Sequence, residues 1–152
     1  MKPGSLSAVL LLCALSGCSP APRINYEKAG LVDVSGTVTM DGQPLVDALV
    51  LFETEEGRVS SGRTDADGRY VLRFNRQATG VIPGKKTVRI STGMAATEEE
   101  ASTLRVETIP ARYNTQSELE VEVKPGEDQT FDFALTSEGK VEQPEAEVGE
   151  EG

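Results

Sequence analysis

Histidine is missing from the entire chain of 152 residues. Histidine is the commonest general base near neutral pH and the commonest metal-binding side chain, so its absence excludes a Ser-His-Asp triad and any histidine-bound metal. A Ser–Lys dyad or a pair of carboxylates would still be available, but Lys85 and Lys86 have no nucleophile motif beside them. Most acidic residues lie in turns or on the polar faces of predicted strands. We therefore expect a protein that is not an enzyme and that needs no cofactor.

Basic and aromatic residues are also few. The chain has 15 Lys and Arg against 25 Asp and Glu, which gives a formal net charge of −10. Phosphate backbones repel such a chain, so nucleic-acid binding is excluded as a function. Tryptophan is absent, and the four Phe and three Tyr are too few to build both a core and an aromatic platform for carbohydrate.

Cysteine occurs only at positions 13 and 18, near the start of the chain. The apolar run 6–15 has the form of a signal peptide, because it is too short for a membrane-spanning helix, which needs roughly 20 residues. The sequence Leu15-Ser16-Gly17-Cys18 that follows resembles the lipobox of bacterial lipoproteins, in which the cysteine becomes lipidated. We predict that residues 1–17 are removed and that Cys18 carries acyl chains such as palmitate. An ordinary cleaved signal peptide is the alternative.

Lipidation of Cys18 has consequences for the rest of the chain. Cys13 leaves with the signal peptide, so neither a disulfide nor a thiolate metal site is expected. Several acyl chains hold a protein on a membrane without a transmembrane helix. Ser19, rather than Asp, follows the cysteine. By resemblance to the sorting rule of enteric bacteria this favours the outer membrane. We expect an exported protein, anchored to a bacterial membrane by its lipid and facing the periplasm or the cell surface.

Composition divides the mature chain into three segments. Residues 18–32 are predicted to be the lipidated cysteine and a flexible tether, and residues 33–136 a single β-sandwich domain. Residues 137–152 are rich in glutamate and have little to bury, which predicts a disordered acidic tail. This tail is either a solvating segment or an arm that binds divalent cations or a partner, and we favour the first interpretation.

Alternation of apolar and polar residues dominates the predicted domain, and turn signals such as Asp41-Gly42 and Pro125-Gly126 interrupt it. This pattern predicts an all-β fold, a seven-stranded Greek-key β-sandwich. Helical periodicity is scarce, and the one candidate is the segment 95–104. The predicted strands are 34–40, 48–52, 58–63, 70–74, 86–92, 119–123 and 131–135.

The segment Thr64-Asp65-Ala66-Asp67-Gly68-Arg69-Tyr70 raises the question of a calcium site, since calcium takes oxygen ligands. An EF-hand loop with Gly68 at its sixth position makes ligands of Asp65 and Asp67. It also puts Arg63 at the first position and Phe74 at the twelfth, where ligands are required, so this interpretation fails. We favour a tight turn between two strands, in which Asp65 accepts backbone N–H bonds and Asp67-Gly68 tolerates positive φ. An irregular site of two carboxylates, Asp65 and Asp67, is the alternative.

Three segments occur in the order typical of one family: VSGTVTMDGQPLVDALVLFE (34–53), TDADGRYVL (64–72) and IPGKKTVRIS (82–91). They resemble the carboxypeptidase-regulatory-like domain, which has the seven-stranded transthyretin-like (prealbumin-like) fold. The resemblance implies a module that accompanies peptidases, receptors and adhesins. Two enzyme groups with related sandwiches, the hydroxyisourate hydrolases and the intradiol dioxygenases, depend on histidine, which this chain lacks.

The resemblance and the predicted anchor together imply a non-catalytic accessory or scaffold module of the cell envelope that binds a protein or glycan partner. The alternative is a calcium- or small-ligand-binding domain that serves uptake. Arg112, Tyr113 and Asn114 lie in the long connection 93–117, where recognition residues often collect, and form the candidate partner-binding loop. We favour the competing interpretation, in which Tyr113 caps the end of the sandwich and Pro110 stiffens the loop. An exposed edge strand that accepts a partner strand is a further route to binding.

Replacing the lipid-accepting thiol tests the predicted anchor. In the Cys18→Ala variant we expect the chain to move from the membrane fraction to the soluble fraction of lysed cells, because no acyl chain can be attached. Fractionation followed by immunoblotting measures this, with Ser19→Ala as the matched control that stays in the membrane fraction. Membrane association of Cys18→Ala equal to that of the unchanged chain would contradict the prediction.

Overall fold

The computed structural model describes residues 30–95 and 105–143, and in these two ranges the chain forms nine strands and one short 3-10 turn. No helix in the described ranges is long and apolar enough to cross a membrane. The predicted signal peptide, Cys18, the tether up to residue 29, nearly all of the helix candidate and the tail from residue 144 lie outside the described residues. The strands are β1 (Val34–Met40), β2 (Gln43–Pro44), β3 (Leu49–Glu53), β4 (Val59–Arg63), β5 (Arg69–Val71), β6 (Gly84–Ser91), β7 (Leu119–Val123), β8 (Gln129–Thr130) and β9 (Phe133–Leu135).

The strands form two sheets, of five and four strands. In the first sheet β1 pairs antiparallel with β2 and β5 and parallel with β8 and β9. The second sheet has the order β4-β3-β6-β7, and all its pairs are antiparallel. The predicted all-β sandwich is therefore confirmed. The central position of β3 follows from its composition, because an apolar strand such as Leu49–Glu53 is best placed between two neighbours.

The described ranges contain nine strands where the pattern predicts seven, and two local features account for the difference. The turn at Asp41 and Gly42, both with positive φ, is followed by the two-residue β2, which pairs back onto β1. The predicted last strand, 131–135, is observed only from Phe133 as β9, and the two-residue β8 forms before it, with Phe131 and Asp132 between them. Each of the seven predicted segments still overlaps an observed strand.

Gly36 explains where the last strand is interrupted. A Cβ atom at this position would overlap the carbonyl oxygen of Phe131 and lie 2.8 Å from the hydroxyl of Tyr70. The Tyr70 hydroxyl donates to that carbonyl at 2.6 Å, and the Thr37 N–H donates to Oδ1 of Asp132 at 2.8 Å. Side chains thus provide hydrogen-bond partners for the Phe131 carbonyl and the Thr37 N–H. Parallel pairing with β1 occurs before this point in β8 and after it in β9.

The core lies between the two sheets and is built from alternating strand positions. Val88 and Ile90 are fully buried, as the alternation in β6 predicts, while Arg89 between them faces outward. Phe52 of β3 meets the last strand, with ring centroids 5.8 Å from Phe131 and 6.3 Å from Phe133. Such tilted and edge-on pairs add to the free energy that burial of the rings contributes. Other fully buried side chains of this cluster are Val34, Val38, Val50, Tyr70, Leu72, Val81 and Val123.

Substitution of Gly36 tests the close approach of the first and last strands. We expect Gly36→Ala to lower the free energy of unfolding by about 2–3 kcal/mol, because the added methyl group forces β1 away from the Phe131 carbonyl. Urea unfolding measures the change. The neighbouring Ser35 has a half-buried side chain, and Ser35→Ala should change stability by only about 0.5 kcal/mol. Equal unfolding midpoints for the two variants would show that the strands do not need the glycine.

Candidate functional site

The two carboxylates of the segment 64–70 lie in the turn between β4 and β5. Oδ1 of Asp65 accepts the N–H groups of Asp67 and Arg69, each at 2.9 Å. Gly68 has a φ of 73°, and its N–H donates to the backbone oxygen of Asp65 at 3.0 Å. The Asp67 carboxylate points to solvent, 3.7 Å from the Arg69 guanidinium. These bonds are those of an Asx turn, which engages one Asp65 oxygen with the backbone.

Metal-ligating side chains are not gathered at this turn. Within residues 30–95 and 105–143, no group of three or more Asp, Glu, Cys or His residues is placed to hold a metal ion. The contacts of Asp65 and Asp67 are those of the turn itself: Asp65 accepts backbone N–H groups, and Asp67 faces the Arg69 guanidinium.

A buried carboxylate organises the connection that follows β6. Glu107 is 3% exposed and has no cationic partner among its hydrogen-bonding neighbours in the described ranges. Its carboxylate accepts the N–H groups of Thr92 (3.1 Å), Thr108 (3.0 Å) and Ile109 (2.9 Å). It also accepts the hydroxyl groups of Ser91 and Thr92. These donors replace water around the charge and fix residues 107–109 against the end of β6.

Glu107 is not recognisable from the sequence, since an isolated glutamate in a long connection has no distinctive pattern. The available signal is the hydroxyl-rich run Ser91-Thr92 at the end of a buried strand.

Arg112 and Tyr113 of the candidate partner-binding loop lie on the 3-10 turn Ala111–Tyr113 and are both half-exposed. The Arg112 guanidinium carbon lies 4.7 Å from the centroid of the Tyr113 ring, in a cation–π contact. Thr136, just after β9, joins the pair, since Nη2 of Arg112 donates to its hydroxyl at 2.5 Å. Hydrogen bonding with Thr136 also lowers the pKa of the Tyr113 phenol. The two side chains thus form one compact polar and aromatic surface at the end of the sandwich.

Asn114 has a different role from its two neighbours. It is 1% exposed, and its Nδ2 donates to the backbone oxygen of Ile109 at 3.0 Å. The Arg89 guanidinium holds the same part of the loop, donating to the backbone oxygen of Asn114 at 2.6 Å and to Oε2 of Glu53 at 2.9 Å. The structure therefore separates the predicted trio, with Arg112 and Tyr113 at the surface and Asn114 inside the loop.

Residues 137–143, the first part of the predicted acidic tail, run along this loop, and we call them the C-terminal strap. The N–H of Ala111 donates to the backbone oxygen of Lys140 at 2.8 Å. The Gln143 side-chain amide accepts from the N–H of Glu107 and donates to the backbone oxygen of Glu107, both at 3.0 Å. The strap and the 107–116 loop thus share one hydrogen-bonded surface.

A small cleft lies beside β6 and β7. Its lining includes Glu53, Lys85, Lys86 and Glu120, with Lys85 and Glu120 joined by an ion pair of 3.1 Å. Nζ of Lys86 donates to the backbone oxygens of Pro83 and Lys85, and burial lowers the pKa of the Lys86 ammonium. The cavity volume is about 30 Å³. Pockets for organic ligands measure roughly 300–1,000 Å³, so this cleft is too small for one.

A scan against protein-family models finds no match for the chain, and a search of curated proteins finds none either. These two comparisons therefore assign no family to the chain.

Removal of the charge at Glu107 tests the role of this carboxylate. We expect Glu107→Gln to lower the free energy of unfolding by about 2–3 kcal/mol, because an NH₂ group would then face hydroxyl and N–H donors. Chemical unfolding monitored by circular dichroism gives the value. Glu118→Gln, a matched change at an exposed position, should leave the stability nearly unchanged. A Glu107 variant as stable as the Glu118 variant would show that the carboxylate does not hold the loop.

Proposed function

We propose that this chain is an exported bacterial lipoprotein whose β-sandwich is a non-catalytic accessory or scaffold module that engages a protein partner in the cell envelope. The module is of the carboxypeptidase-regulatory-like type, with a transthyretin-like fold. The lipobox at Leu15-Ser16-Gly17-Cys18 supports the anchor. The motif order along the chain, together with the two packed sheets, supports the module.

The positions of the motifs in the structure are consistent with this proposal. The first motif runs from β1 through the turn at Asp41 and Gly42 to β3. The second spans the Asx turn between β4 and β5, and the third leads through Gly84, with a φ of 112°, into β6. Gly42, Gly68 and Gly84 have positive φ, a backbone conformation that costs other residues conformational free energy.

The observation that carries the partner assignment is the edge of the four-stranded sheet at β7. This strand pairs with β6 along its whole length, and within the described ranges no strand pairs with its other side. An unpaired edge presents backbone N–H and C=O groups to an incoming strand, which is the basis of β-augmentation.

The side chains of β7 indicate which partner fits. Glu120 and Glu122 are exposed on this strand, and the exposed Glu118 immediately precedes it. Lys85 is the neighbouring cation that pairs with Glu120, at 3.1 Å. A second copy of this acidic edge would be repelled, whereas a strand rich in Lys or Arg would gain from opposite charges across the ladder. The edge therefore favours a basic protein segment over self-association.

Site-specific photocrosslinking in intact cells tests this proposal. A photoreactive residue at position 122 should give a discrete adduct with an envelope protein. The same residue at Asp67, exposed in the turn after the opposite edge strand β4, should not give that adduct. Peptide mapping should place the crosslink in a segment with alternate basic residues.

The charge dependence of the adduct is the second part of this test. Reversal by Glu120→Lys and Glu118→Lys should abolish the adduct while leaving the melting temperature close to that of the unchanged chain. Adducts of equal yield from positions 122 and 67, or adducts that survive charge reversal, would disprove partner binding at this edge.

A further inference from the structure

The Gln143 side-chain amide makes a two-point contact with the 107–116 loop, as donor and as acceptor. Its oxygen accepts the Glu107 N–H and its nitrogen donates to the Glu107 carbonyl, both at 3.0 Å. This arrangement copies the pairing of two adjacent strands, with a side chain in place of the second backbone. A glutamate at 143 has no donor for the carbonyl, and an aliphatic residue has neither group. The loop surface therefore selects glutamine at this position.

Glu142, the preceding residue of the strap, is also recognised by the loop. Oε2 of its carboxylate lies 3.3 Å from the Thr115 hydroxyl and 3.3 Å from Nε2 of Gln116. Inside the strap, Nζ of Lys140 donates to the same carboxylate at 2.8 Å, which lowers the pKa of Glu142. The Ala111 N–H also donates to the Lys140 carbonyl. The loop therefore binds one backbone carbonyl, the Glu142 carboxylate and the Gln143 amide of an extended segment.

The two sides of this contact differ in how firmly they are held. The loop side is rigid, because Glu107, Ile109 and Ala111 are 3%, 0% and 5% exposed and the Glu107 carboxylate binds the end of β6. No residue of the strap is buried, and only Val141 and Glu142 are half-buried. Segments with few buried apolar contacts open locally at low free energy, without unfolding the core.

Opening of the strap leaves the Ala111 N–H and both backbone groups of Glu107 without their partners. Water then takes the place of these partners, and another segment that offers the same groups in the same arrangement can displace that water. Every copy of this chain carries such a segment.

We propose that the surface of residues 107–116 is a docking site for an extended Glu-Gln segment. Each chain fills it with its own residues 140–143, and the same residues of a second copy fill it in trans. A tethered segment acts at an effective concentration of roughly millimolar. Exchange between copies therefore requires that the chain's own strap is displaced or weakened.

Binding of a free peptide to strap variants of the full chain tests the proposal. The probe is a dye-labelled peptide of residues 137–152, SEGKVEQPEAEVGEEG, and fluorescence anisotropy measures its binding. The full chain with Glu142→Ala and Gln143→Ala should bind this peptide, because its own strap no longer occupies the surface. The unchanged chain should bind at least about 10-fold more weakly, since its own strap competes. Glu138→Ala, at an exposed position of the strap, is the matched control and should behave like the unchanged chain.

Two results would overturn the proposal. One is that the double variant, with an unchanged melting temperature, binds no peptide. The other is that it binds the native peptide and a peptide carrying the same two alanines equally well, which would show that the Glu-Gln pair is not read.

Hydrogen exchange of the unchanged chain provides a measurement that does not depend on the variants. The amides of Glu107 and Ala111 should exchange faster than that of Val88 in the core, and millimolar native peptide should slow them. Exchange of all three amides at the rate of global unfolding would also refute the proposal, since the strap would then not open by itself.

Discussion

The parallel pairing of β1 with β8 and β9 is the constraint on which the rest of the domain depends. Parallel strands require a long connection, and here that connection contains every strand of the second sheet. The first strand therefore completes its hydrogen bonding only when the last strand reaches it, as the bond from Thr37 to Asp132, 95 positions away, illustrates. Gly36 permits this closure because it leaves room for the Phe131 carbonyl and the Tyr70 hydroxyl. The described part of the domain is thus closed by backbone geometry and a buried hydroxyl.

A second constraint acts at the end of the sandwich, where the Glu107 carboxylate is buried in a position that an apolar side chain usually fills. A buried charge is tolerated when donors surround it, and the backbone N–H groups of Thr92, Gly93, Thr108 and Ile109 supply most of them. The carboxylate joins the end of β6 to a connection that has no ladder bonds of its own over residues 105–110. Because this holds the loop in place, its backbone offers a defined surface to the strap. The acidic edge at β7 and the loop surface under the strap both present backbone groups.

The candidate site was only partly predictable from the sequence. The connection 93–117 was identified by its length and composition, and Arg112 and Tyr113 do lie at its surface. Asn114 is internal, because its amide satisfies the carbonyl of Ile109 five positions earlier, and no sequence pattern distinguishes such an amide from one that faces a partner. The hydrogen bonds of residues 137–143 to the loop were likewise not predictable. Their composition is that of a solvated tail, and the groups they bind belong to a distant part of the chain.

The sequence by itself determined the features that depend on near neighbours along the chain. Alternation placed Val88 and Ile90 inside the sandwich, and the Asp65 to Gly68 turn forms from bonds that span four positions or fewer. Only the tertiary structure decided how the last strand divides and which acidic residue is buried. Gly36, next to the Phe131 carbonyl, and Glu107, among donors from the end of β6, acquire their roles from atoms far away in the sequence. Side-chain periodicity records which face of a strand is apolar, but it carries no information about which distant backbone group will come within hydrogen-bonding distance.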